Sequence, residues 1–295
     1  MKRILLAISG GIDSMYLANR ASELIPDAVF AIAHCNFKLR GKESDEDEEF
    51  VHSWAEEHSV PFHCKAFDTE EYARAKGISI EMAARELRYE WFGQLLKTKG
   101  YDAVAVAHNA NDNAETMILN LLRGTGGRGL RGMSDREGII RPMLGIGRAE
   151  IREWMEGHDF QWREDRTNSE NVYKRNKIRN EVFPLFSQIN PSFLNTLQKD
   201  MKHIAQENDI AEEYYRKALP EITIDENSIN LKSLLGFTHW EYILWRWAEP
   251  YSLSDETFCK LVALLKSSRT ISGKVFESPT SILSIRKKIL SASPR

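Results

Sequence analysis

The stretch ILLAISGGIDSMYLANR, residues 4–20, joins an apolar run to a helical pattern through a glycine-rich turn. The apolar run predicts a buried strand, because it is short and is followed at once by turn residues. Glycines directly after a strand let the backbone approach a ligand, and the first amide groups of a helix favour an anion. The turn therefore predicts a cradle for phosphate oxygens, formed by Ser9, Gly10, Gly11, Ile12, Asp13 and Ser14.

This turn differs from the two commoner phosphate-binding loops. The pattern G-x-x-x-x-G-K-[ST] is absent from the sequence, and so is G-x-G-x-x-G. Asp13 has two uses at the start of a helix: it can cap the helix, or it can contact a magnesium ion that a nucleotide carries. A plain turn in which the glycines only relieve strain is the alternative.

The first half of the chain alternates short apolar runs with amphipathic stretches. This order predicts a doubly wound, mostly parallel sheet of α/β type that is covered on both faces. A helix is predicted from Ile80 to about Lys97, with Ser79 as its N-cap and Gly100 beyond its end. The predicted strands are Arg3–Ile8, Val29–His34, Pro61–Lys65 and Ala103–His108.

After Pro142 the pattern becomes helical. The stretch NVYKRNKIRNEVFPLF predicts a basic helix that ends at Pro184, and a long helical pattern then begins at Pro191. The remainder predicts a smaller, mainly helical domain with a strand-like tail at 272–290. We therefore divide the chain into a catalytic domain (1–188), a connecting helix (189–219) and the smaller domain (220–295).

Composition limits the classes of function. The 295 residues carry a net charge of −3, so binding of a nucleic acid requires a local basic face. Residues 43–49 are almost wholly acidic, whereas 123–179 are dense in arginine. The three cysteines form no C-x-x-C pair, which predicts neither a disulfide framework nor a cysteine-ligated metal and favours a reducing, cytoplasmic compartment. No stretch is apolar enough for a membrane helix.

The cradle resembles the PP-loop of the N-type ATP pyrophosphatases, S-G-G-x-D-S. Four further stretches resemble, in the same order, those of the tRNA(Ile)-lysidine synthetases, and the resemblance spans residues 3–186. They are AHCNFKLRGKESDEDEEFV, EMAARELRYEWF, AHNANDNAETMILNLLRGTG and DRTNSENVYKRNKIRNEVFP. The resemblance implies ATP and Mg²⁺ as cofactors, with free L-lysine and an isoleucine tRNA bearing a CAU anticodon as partners. The implied ligase adenylates the wobble cytidine at its C2 oxygen, after which lysine attacks C2 and releases AMP.

Two carboxylates and a set of arginines are the candidate catalytic groups. Asp112 and Glu115, three residues apart, share one helix face and suit a lysine ammonium, magnesium or a departing proton, although a capped helix start is the alternative. His108, at the carboxyl end of a predicted strand, joins the ATP-binding set. Arg85 suits charge that develops on the α-phosphate, and Arg179 inherits a place near ATP and tRNA from the resemblance.

The remaining candidates are basic or polar residues for the tRNA. The glycine-rich stretch LLRGTGGRGLRGM either moulds to a phosphate backbone or is merely flexible. The candidate substrate-binding residues are Arg40, Arg88, Tyr89, Arg123, Arg128, Arg131, Arg175 and Asn176. The sequence departs from the family pattern at Phe37, Lys38, Asn109, Asn111 and Asn113.

Three questions stay open from the sequence. A PP-loop tRNA thiolase and a non-catalytic tRNA-binding module that retains ATP are the rival functions. The oligomeric state is open, a homodimer included. A tail of one or two strands closes no sheet, so we expect that the chain is cut before a further tRNA-gripping domain, with a short family member as the alternative.

Overall fold

The computed structural model describes residues 1–164, 174–267 and 272–295. It contains two compact units, Met1–Ala205 and Gln206–Arg295. The division falls inside one long helix, Phe193–Ile222, which appears below as α11. The separate roles assigned to 1–188, 189–219 and 220–295 stay a prediction.

The first unit is built on a parallel sheet of five strands. Its strands are β1 (Lys2–Ala7), β2 (Ala28–Asn36), β3 (Phe62–Ala66), β4 (Ala103–Val106) and β5 (Ile139–Ile140). Their order is β3-β2-β1-β4-β5, and each neighbouring pair is parallel. The chain winds away from β1 in one direction and then returns to its other side for β4. In an open α/β sheet, ligands bind at such a switch point, outside the carboxyl ends of the strands.

Helices cover both faces of this sheet, as predicted. Leu6 of β1 packs in the core on one face, whereas the neighbouring Leu5 packs in the core on the other. The helices of this unit are α1 (Ile12–Asn19), α2 (Ala21–Leu24), α3 (Lys42–Glu57), α4 (Thr69–Lys76), α5 (Ile80–Lys99), α6 (Ala110–Arg123), α7 (Gly127–Leu130), α8 (Arg148–Gly157), α9 (Lys174–Lys177) and α10 (Phe183–Ile189). The alternation of side chains along β1 therefore divides the core into two layers.

The predicted ends of α5 are confirmed. The Ser79 hydroxyl accepts a hydrogen bond from the Met82 amide at 3.2 Å, and Gly100 ends the helix in the left-handed region with a φ of 68°. These are the N-cap and C-cap arrangements that serine and glycine favour.

The basic stretch after residue 173 forms one continuous helical segment, although residues 165–173 of the predicted helix lie outside the described part. A π-helical turn, Ile178–Val182, joins α9 to α10. The prediction that Pro184 ends the helix is wrong, since α10 continues to Ile189. Pro184 lies in the first turn of α10, directly after the π turn, where a residue without an N–H group is tolerated.

The second unit combines helices with an antiparallel sheet. The helices are the C-terminal part of α11, α12 (Leu231–Leu234), α13 (Trp240–Ala248) and α14 (Asp255–Lys266). The strands β6 (Thr223–Asp225), β7 (Ser228–Asn230), β8 (Val275–Glu277), β9 (Ser281–Arg286) and β10 (Ile289–Pro294) pair in the order β6-β7-β10-β9-β8. The expectation of a tail of one or two strands is wrong, because the tail forms β8, β9 and β10, and β10 pairs with β7 as well as with β9.

Candidate active site

The Ser9–Ser14 turn forms a cradle that one side chain organises. The buried Ser14 hydroxyl accepts hydrogen bonds from the amides of Ser9 at 3.2 Å and Gly10 at 3.1 Å, and it donates to the Gly11 carbonyl at 2.8 Å. Gly10 has a φ of 93°, a conformation that side-chain-bearing residues rarely adopt. Gly11 precedes α1 without a side-chain cap, so that the helix start is not blocked by a side chain. This geometry suits an anion.

The cradle opens into a cleft of about 750 Å³. The predicted residues Arg40, Asp112 and Arg179 line the same cleft as the cradle. Sequence reasoning did not assign most of the others to the site. These further lining residues are Asp47, Arg148, Arg152, Trp162, Arg163, Glu164 and Asn180.

Asp13 is held by two donors from distant parts of the chain. One carboxylate oxygen accepts a hydrogen bond from Asn109 Nδ2 at 2.9 Å, and the other pairs with Arg148 Nη2 at 3.1 Å. Within the described ranges, no group of three or more His, Cys, Asp or Glu side chains is placed to hold a metal ion. Asp13 fits magnesium in a more limited way, as a single carboxylate beside phosphate oxygens, which is how nucleotide-bound magnesium is commonly held.

The predicted acid pair lies on one face of α6, and Arg179 joins its two members. Arg179 Nε lies 2.7 Å from Glu115 Oε1, and Arg179 Nη2 lies 3.3 Å from Asp112 Oδ1. Glu115 is fully buried, and this burial raises the pKa of its carboxyl group despite the opposing effect of Arg179. Asp112 also caps α6 in a reciprocal arrangement with Asn109. The capping and catalytic interpretations of Asp112 are therefore compatible.

The π turn carries Arg179 to this pair. Arg175, one turn earlier, donates from Nη2 to the Thr116 hydroxyl at 3.1 Å. The two arginines thus contact neighbouring positions of α6 from the same side. A π turn inserts a residue into a helix and often marks a functional site.

His108 is not among the residues that line the cleft, although the sequence grouped it with the cradle. Burial, together with the positive charges of nearby arginines, lowers the pKa of His108 to about 4. We call these residues the His108 arginine cluster: Arg85, Arg88, Arg141 and Arg175. His108 Nδ1 is buried and has no hydrogen-bond partner among the described residues. The histidine is neutral and faces a positive environment.

Aromatic rings order this cluster. The Arg85 guanidinium lies 4.9 Å from the centre of the Tyr89 ring, and Arg136 lies 4.7 Å from the same ring. Arg88 lies 5.2 Å from the centre of the Phe37 ring. Arg85, Arg88 and Tyr89 do not line the cleft, so that their predicted roles toward ATP and tRNA stay predictions.

The glycine-rich stretch is packed at two points. Gly132 has a φ of 74°, and a Cβ atom there would lie 2.4 Å from Asn113 Oδ1. Asn120 Nδ2 donates to the Gly129 carbonyl at 2.9 Å. Mere flexibility therefore does not explain these glycines. The candidate tRNA residues Arg123 and Arg128 are exposed, Arg131 is half-buried, and Asn176 lies on α9.

The acidic run of α3 holds arginines at the cleft. Asp47 is buried and pairs with Arg40 and with Arg163, whose Nε lies 2.9 Å from Asp47 Oδ1. The Arg163 amide also donates to the Gly10 carbonyl at 2.9 Å. In the sequence, residues 43–49 are visible only as a group of negative charges, because partners such as Arg163 come from distant parts of the chain.

We expect a pH effect on stability from His108. The unfolded chain binds a proton on this histidine near pH 6.5, whereas the folded chain does so only near pH 4. The contribution of His108 to the free energy of unfolding therefore falls as the pH decreases across this interval. A His108→Gln variant should lose less stability than the wild type between pH 7 and pH 5 in urea titrations. Equal losses in the two proteins would contradict this assignment.

The sequence is similar to those of known proteins. The PP-loop domain model matches residues 1–186. The tRNA(Ile)-lysidine synthase of Parabacteroides distasonis is 39% identical over 282 residues, which are 94% of this chain and 62% of that protein. The enzyme of the same name from Chlorobaculum tepidum is 42% identical over 214 residues, or 72% of this chain and 64% of that protein. The chain thus spans about three-fifths of the length of these curated relatives.

Structural similarity agrees at the level of the fold. The U34-tRNA thiolase NcsA from Methanococcus maripaludis, solved with its 4Fe–4S cluster, superposes with a TM-score of 0.57. The two chains are 14% identical, and the match covers 70% of this chain and 72% of the thiolase. Among the described helices, none has both the length and the apolar character that a membrane crossing requires. Since the domain match covers more than half of the residues and includes the Ser9–Ser14 cradle, this chain belongs to the PP-loop family.

Proposed function

We propose that the protein ligates free lysine to C2 of the wobble cytidine of an isoleucine tRNA with a CAU anticodon. ATP is the second substrate, and lysidine, AMP and pyrophosphate are the products. The observation that carries the proposal is the buried Glu115, held with Asp112 by Arg179 beside the phosphate cradle. The similar relatives, which are named tRNA(Ile)-lysidine synthases, support the choice of substrates.

The first step forms an adenylated cytidine. The C2 oxygen attacks the α-phosphorus, an O–P bond forms, and the bond to the β-phosphate breaks as pyrophosphate leaves with the electron pair. The cradle amides and the start of α1 suit the pyrophosphate end, because they offer N–H donors to its oxygens. Asp13 would hold Mg²⁺, which screens phosphate charge when bound.

The second step is the attack of lysine. The amine nitrogen bonds to C2, the C2–O bond breaks, and AMP leaves with the electron pair. The nitrogen must lose a proton, and Glu115 is suited to accept it because burial raises the pKa of its carboxyl group. Asp112 suits the ammonium form of lysine, since its carboxylate faces the cleft.

Basic residues outside the cleft would contact the tRNA. In this proposal residues 1–188 carry the chemistry, 189–219 connect, and 220–295 contact the tRNA in the cytoplasm. Lys287 and Lys288 form the turn between β9 and β10, with φ values of 49° and 65°. Such a turn presents two cations side by side, which suits phosphate groups.

The rival functions find less support in the described residues. A thiolase of the cluster-dependent kind needs several cysteine ligands. Cys35 packs with the core on one face of the sheet, whereas Cys64 aligns with His34 on the adjacent strand and so faces the other side. Cys259 lies in the second unit. A non-catalytic module has no evident use for the buried carboxyl group of Glu115.

The test is a ligation assay on the chain as given. The protein is incubated with ATP, labelled lysine and a tRNA transcript bearing the CAU anticodon of isoleucine. We expect AMP, pyrophosphate and label in the tRNA, and no label in a methionine tRNA with the same anticodon. The Glu115→Gln variant should form AMP but require more lysine. AMP without label would favour another adenylating reaction, and no AMP at all would favour the binding module.

A further inference from the structure

Arg148 occupies a position that neither the motifs nor the relatives assign. It is the first residue of α8, and its amide donates to Asn111 Oδ1 at 2.9 Å. Its guanidinium pairs with Asp13 at 3.1 Å and lines the same cleft as Ser9, Gly11 and Ser14. The backbone bond therefore ties the start of α8 to α6 and aims the side chain at the cradle.

Hydrogen bonding distinguishes Arg148 from Arg163 and Arg179, which line the same cleft. Arg163 uses Nε and Nη2 on two carboxylates, and Arg179 uses the same two nitrogens on the acid pair. Arg148, in contrast, donates a single side-chain hydrogen bond to the described residues, and 33% of its side chain is exposed. A guanidinium carries five N–H groups, so most of those on Arg148 are available to a ligand in the cleft.

We propose that Arg148 binds the pyrophosphate end of ATP while it keeps its pair with Asp13. This inference rests on the proposed use of ATP. An arginine in this position does two things at once. It neutralises the carboxylate that would otherwise repel phosphate at the rim of the cradle, and it donates further hydrogen bonds to the phosphate oxygens. It also stabilises the charge that gathers on pyrophosphate as that group leaves.

If the only role of Arg148 were to neutralise Asp13, a different result would be expected. In that case, removing both charges together would restore the binding of pyrophosphate in magnesium-free buffer, where Asp13 holds no metal ion. If Arg148 contacts phosphate itself, the double variant Asp13→Asn/Arg148→Met stays weak. A contact with the pyrophosphate end also leaves the binding of AMP unchanged. A general collapse of the cleft would instead weaken the binding of ATP, pyrophosphate and AMP alike.

Calorimetric titration with ATP, pyrophosphate and AMP, in magnesium buffer for the single variants and without magnesium for the double variant, tests the proposal. We expect Arg148→Met to bind ATP and pyrophosphate about 10- to 100-fold more weakly, the effect of losing charge-assisted hydrogen bonds. AMP should bind as to the wild type, and Arg148→Lys should lie between the two. Arg74→Met, at an exposed arginine of α4 away from the cleft, is the matched control.

The outcomes separate this inference from the proposed function. Unchanged binding of pyrophosphate by Arg148→Met and Arg148→Lys overturns the inference alone. Restored binding in the double variant also overturns it, in favour of the neutralising role. A wild-type chain that binds neither ATP nor pyrophosphate overturns the proposed function and the inference together. Circular dichroism shows whether each variant is folded, and Arg148→Lys provides the comparison if Arg148→Met is not.

Discussion

The Arg179→Met variant is expected to lose about 3 to 5 kcal/mol of unfolding free energy and nearly all AMP formation. The reason is that Glu115 is fully buried and relies on Arg179 Nε at 2.7 Å and Nη2 at 3.1 Å. Without the guanidinium, the carboxylate is a buried charge that has lost its ion pair, or it must take up a proton. Urea unfolding followed by tryptophan fluorescence measures the first effect, and chromatography of AMP measures the second.

A double variant separates stability from chemistry. Arg179→Met/Glu115→Gln removes both members of the pair, so most of the lost stability should return. AMP formation should stay low, because the charge that faces the cleft is still absent. If the double variant is no more stable than Arg179→Met alone, the destabilisation does not come from an uncompensated Glu115.

The Ser14→Ala variant is expected to lower AMP formation by about 100-fold or more. The Ser14 hydroxyl accepts hydrogen bonds from two backbone amides and donates one to a carbonyl of the cradle. Its loss removes the hydrogen bonds that hold the cradle in this conformation. The unsatisfied amides should also cost about 1 to 3 kcal/mol of stability. AMP release and thermal unfolding are the two measurements.

The control for Ser14 is an exposed serine of the same unit. Ser53→Ala, on α3 and away from the cleft, should leave both measurements unchanged. Near-normal AMP formation by Ser14→Ala would mean that the cradle does not position phosphate during adenylation. Asp13→Ala should be similarly inactive, because it removes the partner of Arg148 and the candidate magnesium ligand.

Short sequence patterns predicted the elements whose residues are close together in the chain. The cradle, the first four strands and the caps of α5 depend on residues that are close in the sequence, and the structure has them at or near the predicted positions. β6 and β7 have three residues each, too few to show a periodicity. The pairing of β7 with β10, which connects Ile229 to Leu290, is a tertiary effect.

The sequence predicted some contacts of the candidate site, whereas only the fold shows the others. The spacing of Asp112 and Glu115 placed them on one face, as α6 confirms. The pair of Asp13 and Arg148 spans 135 positions, so no pattern in a single sequence window contains it. His108 was predicted from its strand end alone, whereas its surroundings depend on arginines from α5, from the region of β5 and from α9.

Asn109 connects the phosphate cradle to the helix that carries Asp112 and Glu115. Its side chain is fully buried and uses both ends: the amide nitrogen holds Asp13 of the cradle, and the oxygen accepts from the amide of Asp112. The side chain of Asn109 thus connects the Asp13 carboxylate directly to the first turn of α6. A shift of the cradle would be transmitted to the acid pair. In the proposed reaction, adenylation and amine attack would therefore use groups that one buried side chain holds together.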